Sequence, residues 1–241
     1  MTYYLRTHVG HVRKSNEDSC FAAEKDGCLF AVVADGMGGH NGGEVASQIV
    51  VEKAKRFLDD NMTAAITPES IIVLLSDCNK CVWEQALRNK ALQGMGSTAT
   101  LVLVRGNNAL IGHVGDSRAY LYRSGKLEQL TKDHSYVQML IDNGYISKEE
   151  ALHHPYRNII TRAIGSESGI EVDTLTIGLL PGDVLLLCSD GLNNAVPDDK
   201  IAAILKDGIE AAADKLIDAA LVGGGLDNVT VVIAEMDGAG L

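Results

Sequence analysis

Four aspartates sit where apolar runs begin or end, and each is followed by Gly, Ser or Asn. Residues 29–34 lead into Asp35-Gly36, and residues 110–115 lead into Asp116-Ser117. Residues 184–189 lead into Asp190-Gly191, and Asp227-Asn228 opens the run at 229–233. Carboxylates brought together repel one another unless a positive charge lies between them. An all-oxygen donor set suits hard dications such as Mg²⁺ or Mn²⁺. Aspartate also favours turns for its own reasons, which accounts for one such residue better than for four.

The elements that must position these groups follow from periodicity. Short apolar, β-branched runs read as buried strands, here at 2–9, 19–23, 28–34, 98–104, 109–114, 119–122, 127–130, 172–177, 184–188 and 229–233. The four strands between 98 and 130 read as a meander. In antiparallel neighbours the end of one strand lies beside the start of the next, so the four carboxylates can converge on one edge of a sheet. Helical spacing marks 44–58, and Thr67-Pro68 starts a helix to about residue 89 with a capping side chain and an N-terminal proline. Trp83 in that helix reads as simple packing. A polar excursion follows at 133–164, with helical stretches near 137–141 and 148–152, and two helices lie near 198–206 and 210–222. Strands in groups with helices in pairs between them give an α+β class, not alternating βαβ. The expected architecture is a central antiparallel β-sandwich flanked by pairs of helices, a four-layer αββα arrangement, within a single domain spanning 1–241.

Composition narrows the function. A net charge of −11 argues against nucleic acid or an anionic membrane as partner. No segment is apolar for long enough to span a bilayer, and the first residues carry no signal core, so a cytoplasmic location is expected. The five cysteines are an odd, sparse set and do not suggest a disulfide framework. Cys78 and Cys81 form a lone Cys-x-x-Cys inside a helical pattern and read as two small residues.

Several motifs fail on context. The glycine-rich stretch after Asp35 lacks the Gly-Lys-Ser/Thr ending of a P-loop; its glycines let the backbone pass close to an ion and a substrate, and Gly36 can offer its carbonyl oxygen. Gly94-Met95-Gly96 follows a helix and opens a strand, the reverse of a dinucleotide fingerprint. Of the seven histidines, His113 lies within an apolar run and reads as a core residue, whereas His40 stands near Asp35 and is the candidate for proton chemistry. Arg13 precedes Glu17-Asp18, and an arginine fork matches two oxygens of a phosphoryl group.

Six stretches in this order carry a resemblance: Arg13 to Asp18, Val33 to His40, Gly96 to Thr100, Val114 to Arg118, Cys188 to Leu192 and Asp227 to Thr230. Together they resemble the metal-dependent serine/threonine protein phosphatases, the protein phosphatase 2C-like family, in its compact bacterial form. Residues 133–165 look like the family's flap. The resemblance implies hydrolysis of phosphoserine and phosphothreonine in proteins, with two core Mn²⁺ or Mg²⁺ ions activating a water, and a possible third. It implies that Asp35 bridges the two ions, Asp190 and Asp227 bind the first, and Gly36 and, through water, Glu17 serve the second. Asp116 with Asp190 would hold the third. Arg13 would grip the substrate phosphate, and Asp18, beside this shell, would orient water or Arg13. Some members of the family, especially eukaryotic ones, carry histidine directly after Asp-Gly, proposed to protonate the leaving oxygen; Met37 stands there, so the acid is left open between His40 and a metal-bound water. The implied partners are phosphorylated proteins, substrates of a cognate bacterial serine/threonine kinase. The alternative is a non-catalytic phosphoprotein-binding module of the same fold.

Overall fold

The computed structural model describes residues 1–38, 42–61 and 67–237. Strand β3 (Cys28–Met37) shows how the sequence builds the layers. Cys28, Phe30, Val32 and Ala34 point into a core shared with helices α1 (Gly42–Asn61) and α2 (Pro68–Arg88), including Val50, Ala54, Ile71 and Leu75. Leu29, Ala31 and Val33 point the other way, into a second core with Leu121, Leu185, Leu187 and Val232. A strand alternates its side chains with period two. A strand apolar at every position is therefore covered on both faces.

β3 lies inside a sheet ordered β2-β3-β5-β6-β9, where β2 is Asp18–Lys25, β5 Ala99–Arg105, β6 Asn108–Val114 and β9 Asp173–Gly178. The two-residue strand β4 (Gly96–Ser97) pairs with the end of β3. The second sheet runs β1-β11-β10-β7-β8, from β1 (Thr2–His8), β7 (Arg118–Arg123), β8 (Lys126–Gln129), β10 (Val184–Cys188) and β11 (Val229–Glu235). Every pairing is antiparallel. The excursion between β8 and β9 carries α3 (Tyr136–Asp142) and α4 (Lys148–Leu152). Between β10 and β11 lie α5 (Asp190–Asn193), α6 (Asp198–Lys206) and α7 (Ile209–Val222). α6 and α7 cover the outer face of the second sheet through Leu205, Ala212, Leu216 and Ala220 packed on Leu186, Val231 and Ile233. The result is helix pair, sheet, sheet, helix pair, as the periodicity predicts. Among the described residues, no helix is long and apolar enough to cross a membrane.

The start of α2 follows its sequence signal: Thr67 caps the helix in a reciprocal box with Ser70, and Pro68 occupies the first turn. Two readings need correction. The strands between 98 and 130 are not one meander: β5 and β6 belong to the first sheet, β7 and β8 to the second. The chain changes sheets at 115–117, where Gly115 adopts φ +114 and a Cβ would lie 2.6 Å from the Thr98 side chain. Alternation shows that a strand has two covered faces but not which sheet holds it. Asp190-Gly191, directly after β10, opens the short α5. Trp83 is half buried and lines a cleft instead of joining the core.

Candidate metal centre

Strand register brings the first two acids together. Asp18 of β2 stands directly across from Asp35 of β3. By the alternation of β3, Asp35 follows Leu29, Ala31 and Val33 onto the face turned toward the second sheet. Like charges directly opposite on a sheet are destabilising. The second sheet meets this pair with hydroxyls: Ser189 Oγ and Thr230 Oγ1 donate to Asp18 Oδ2 at 2.7 and 2.6 Å. Asp18 thus ties the two sheets together at the site; its hydrogen bonds go to these hydroxyls and not to Arg13. Ser189 and Thr230 were not singled out from the sequence. The available signal was their place on the inward alternation beside Asp190 and Asp227.

Asp35 is fixed by the next strands. Its backbone N–H donates to Thr98 Oγ1 at 2.9 Å, and its carbonyl accepts from Thr98 N at 2.8 Å and from Ser97 Oγ at 3.1 Å. Thr98 Oγ1 also lies 2.7 Å from Ser117 Oγ. One threonine therefore links Asp35 to the loop bearing Asp116, which gives the Gly96–Thr100 stretch a physical role.

Asn228 does the same for the other wall. Its Nδ2 donates to the carbonyls of Val9 and Ser15 at 2.9 and 3.0 Å, and its Oδ1 accepts from Glu17 N at 2.8 Å. These bonds pin the loop that carries Arg13 and Glu17 against Asp227. Arg13 Nη2 donates to Asp227 Oδ2 at 2.7 Å, with the arginine side chain 52% exposed. Gly36 N donates to the Glu17 carbonyl at 3.1 Å. A Cβ on Gly36 would fall 2.0 Å from the Gly43 carbonyl oxygen and 2.6 Å from that of Glu17. Only glycine permits this approach.

The predicted acids thus come from both sheets and meet at one end of the sandwich, between the layers, instead of along one sheet edge. His40 lies outside the described residues. His113 is a core residue as expected, with Nδ1 2.9 Å from Thr100 Oγ1 and Nε2 3.1 Å from the Lys132 carbonyl, and burial lowers its pKa to about 3.

The electrostatics are those of a cation site. Burial, followed by the charges of Asp18, Asp190, Asp116 and Asp227, holds Asp35 well above the ordinary carboxylate range. Burial and then Asp190 and Asp133 do the same for Asp116. Asp190 rises to about 6, through burial and then Asp227. Burial lifts Asp18 to about 7 against the pull of its two hydroxyl donors, with Asp190 adding to the rise. Glu17 is raised chiefly by burial.

Among the described residues, no three carboxylate, imidazole or thiol groups close on one point as a finished ligand set. The fit of a dication rests instead on unsatisfied oxygens. Asp18 Oδ1, Asp116 Oδ1 and Asp190 Oδ1 are buried without any hydrogen-bond partner. Buried anionic oxygens left unpaired are costly, and three from separate segments in one acidic cluster form a hard-oxygen set with unused ligand capacity. Gly36, whose N–H donates to the Glu17 carbonyl, lies next to Asp35 on the same strand.

A family model described as Protein phosphatase 2C matches residues 7–223. The chain belongs to the protein phosphatase 2C family. It is 42% identical to the serine/threonine phosphatase stp of Listeria monocytogenes over 243 aligned positions, 97% of this chain and 95% of that one. The crystal structure of the Mycobacterium tuberculosis serine/threonine phosphatase PstP/Ppp superposes with a TM-score of 0.91 at 40% identity, covering 98% of each chain. A structure of the PstP catalytic domain in complex with two manganese ions superposes with a TM-score of 0.89 at 39% identity, again covering 98% of each. This phosphatase 2C chain is accordingly a metal-dependent serine/threonine protein phosphatase. The relatives bear out the catalytic reading and not the non-catalytic phosphoprotein-binding one.

Proposed function

We propose that Asp35, Asp190 and Asp227 hold the core dications with the Gly36 carbonyl, that Glu17 acts there through water, and that Asp116 with Asp190 holds a third ion. When bound, such ions supply an acidified water near neutral pH and positive charge for the developing phosphoryl oxygens. The remaining steps belong to the chain. Arg13 reaches solvent where a phosphoryl group would arrive, and its fork can donate to two phosphoryl oxygens. Asp227, its present partner, keeps the guanidinium aimed across the cluster. Asp18, bound to Ser189 and Thr230, fixes the spacing of the two sheets and so of Asp35 relative to Asp190. Thr98 holds the Asp35 backbone on both sides. The thioether of Met37 carries no proton, so the leaving oxygen takes its proton from elsewhere, and His40 is the side chain proposed for that role. The in vivo role that suits this chemistry is to reverse a serine/threonine kinase in the cytoplasm.

The observation that carries this reading is the trio of buried, unpartnered carboxylate oxygens contributed by β2 and by the ends of β6 and β10. The purified protein should hydrolyse a phosphothreonine peptide with Mn²⁺ and stop with EDTA, and Asp35→Asn should remove at least a thousandfold of kcat. Turnover that persists in EDTA, or in the Asp35→Asn protein, would end the assignment. Loss of the gene should raise phosphoserine and phosphothreonine at a kinase's sites in a phosphoproteome; unchanged occupancy would count against the kinase-opposing role.

A further inference from the structure

Beside the acidic cluster lies a cleft that the chemistry above does not use. It has a volume of about 430 Å³ and, among the described residues, no charged residue in its lining, in a chain of net charge −11. One wall is helix α2, which presents Trp83, Ala86 and Leu87 at i, i+3 and i+4, the spacing that puts side chains on one helix face. This face adjoins the core-facing residues Leu75, Cys78 and Val82 but is not covered by them: Trp83 is half buried and Leu87 is 69% exposed. The floor is Met37 against Gly96, where a Cβ on Gly96 would stand 3.4 Å from Met37 Cγ. Ala163 and Gly165 form the far wall, returning from the α3–α4 excursion. That wall is fastened twice, by the Ser97–Ile164 bridge and by Asn79, whose Oδ1 accepts from Gly165 N at 2.7 Å.

The cleft is continuous with the catalytic strand. Met37 is two residues beyond Asp35 on β3, and the pairs Gly36–Ser97 and Met37–Gly96 carry the sheet from one to the other. Two residues along a strand span about 7 Å. An extended peptide places alternate side chains at that same spacing on one face. A substrate whose phosphoresidue sits at Asp35 therefore brings a side chain two positions away over Met37.

We propose that the Met37–Trp83–Leu87 cleft is a substrate subsite that receives an uncharged apolar side chain two positions from the phosphorylated residue. The subsite selects leucine- or phenylalanine-like residues there and rejects aspartate and glutamate. This rests on the phosphatase reading, and the test separates the two. The assay uses phosphothreonine peptides carrying Leu, Ala, Asp or Lys at the second position before or after the phosphoresidue, with p-nitrophenyl phosphate as a substrate too small to reach the cleft. On one of the two sides, kcat/KM for Leu should exceed that for Ala by about tenfold, with Asp lowest. Leu87→Glu, an exposed substitution, should abolish the preference for Leu and favour Lys, while p-nitrophenyl phosphate turnover stays within twofold of the parent. Trp83→Ala should flatten the same preference. Equal rates for all peptides, or a Leu preference that survives Leu87→Glu, would overturn the subsite. Loss of p-nitrophenyl phosphate turnover in the unmodified protein would instead strike the phosphatase reading itself.

Discussion

Asp18 offers the sharpest test of how the cluster is held. It is buried, faces Asp35 across β2 and β3, and its pKa rises from 3.8 to about 7, chiefly through burial. In the metal-free protein the folded state keeps a proton that the unfolded chain releases above its own, lower pKa. Folding stability should therefore fall as pH climbs from about 4 to about 7 and level off beyond. The shift is worth about 4 kcal/mol, on the order of 10 °C in Tm for a chain of this size. Asp35, Asp116 and Asp190 are raised in the same direction and steepen the slope. Asp18→Asn cannot ionise and keeps a carbonyl oxygen for the Ser189 and Thr230 hydroxyls. Thermal melts in EDTA between pH 5 and 8.5 should show the parent losing stability with rising pH. The variant should melt several degrees above the parent at pH 8. Saturating Mn²⁺ should reverse that order, because the parent has the charge to neutralise. A parent profile in EDTA that is flat or rises with pH would refute the reasoning, as would an Asp18→Asn protein that melts below the parent at pH 8 without metal.

Arg13→Ala removes a phosphate grip and should raise KM for a phosphopeptide about tenfold with a smaller effect on kcat; an unchanged KM in steady-state kinetics would assign Arg13 elsewhere. Gly36→Ala sets a Cβ 2.0 Å from the Gly43 carbonyl oxygen, so it should destabilise by about 2 kcal/mol or more and lower Mn²⁺ affinity, read by denaturant melts and titration calorimetry. Asp116→Ala should leave the binding of two ions intact yet reduce turnover, since it removes one buried, unpartnered oxygen from the cluster; full activity would remove a third ion from the reaction.

Much of this architecture is legible in local pattern. Apolar runs marked the strands, Thr67-Pro68 marked α2, and the Asp-Gly, Asp-Ser and Asp-Asn pairs marked four of the acids. What local pattern does not carry is pairing between distant segments. Nothing in residues 98–130 announces that the chain leaves one sheet after β6 and enters the other at β7, yet that crossing is what sets Asp116 between the layers. The role of Asp18 depends on a register opposite Asp35 and on hydroxyls from Ser189 and Thr230, residues 171 and 212 positions away. Trp83 looked like packing because its helix is amphipathic, and only the position of the 163–166 segment shows that its side chain borders an open cleft.

The most direct test is a crystal structure with excess Mn²⁺, with anomalous differences collected at the manganese edge. The account predicts two strong peaks bridged by Asp35 and contacted by Asp190, Asp227 and the Gly36 carbonyl, both lost in Asp35→Asn. Acidic oxygens left without any anomalous peak among them, in protein that turns over phosphopeptide under the same conditions, would contradict it.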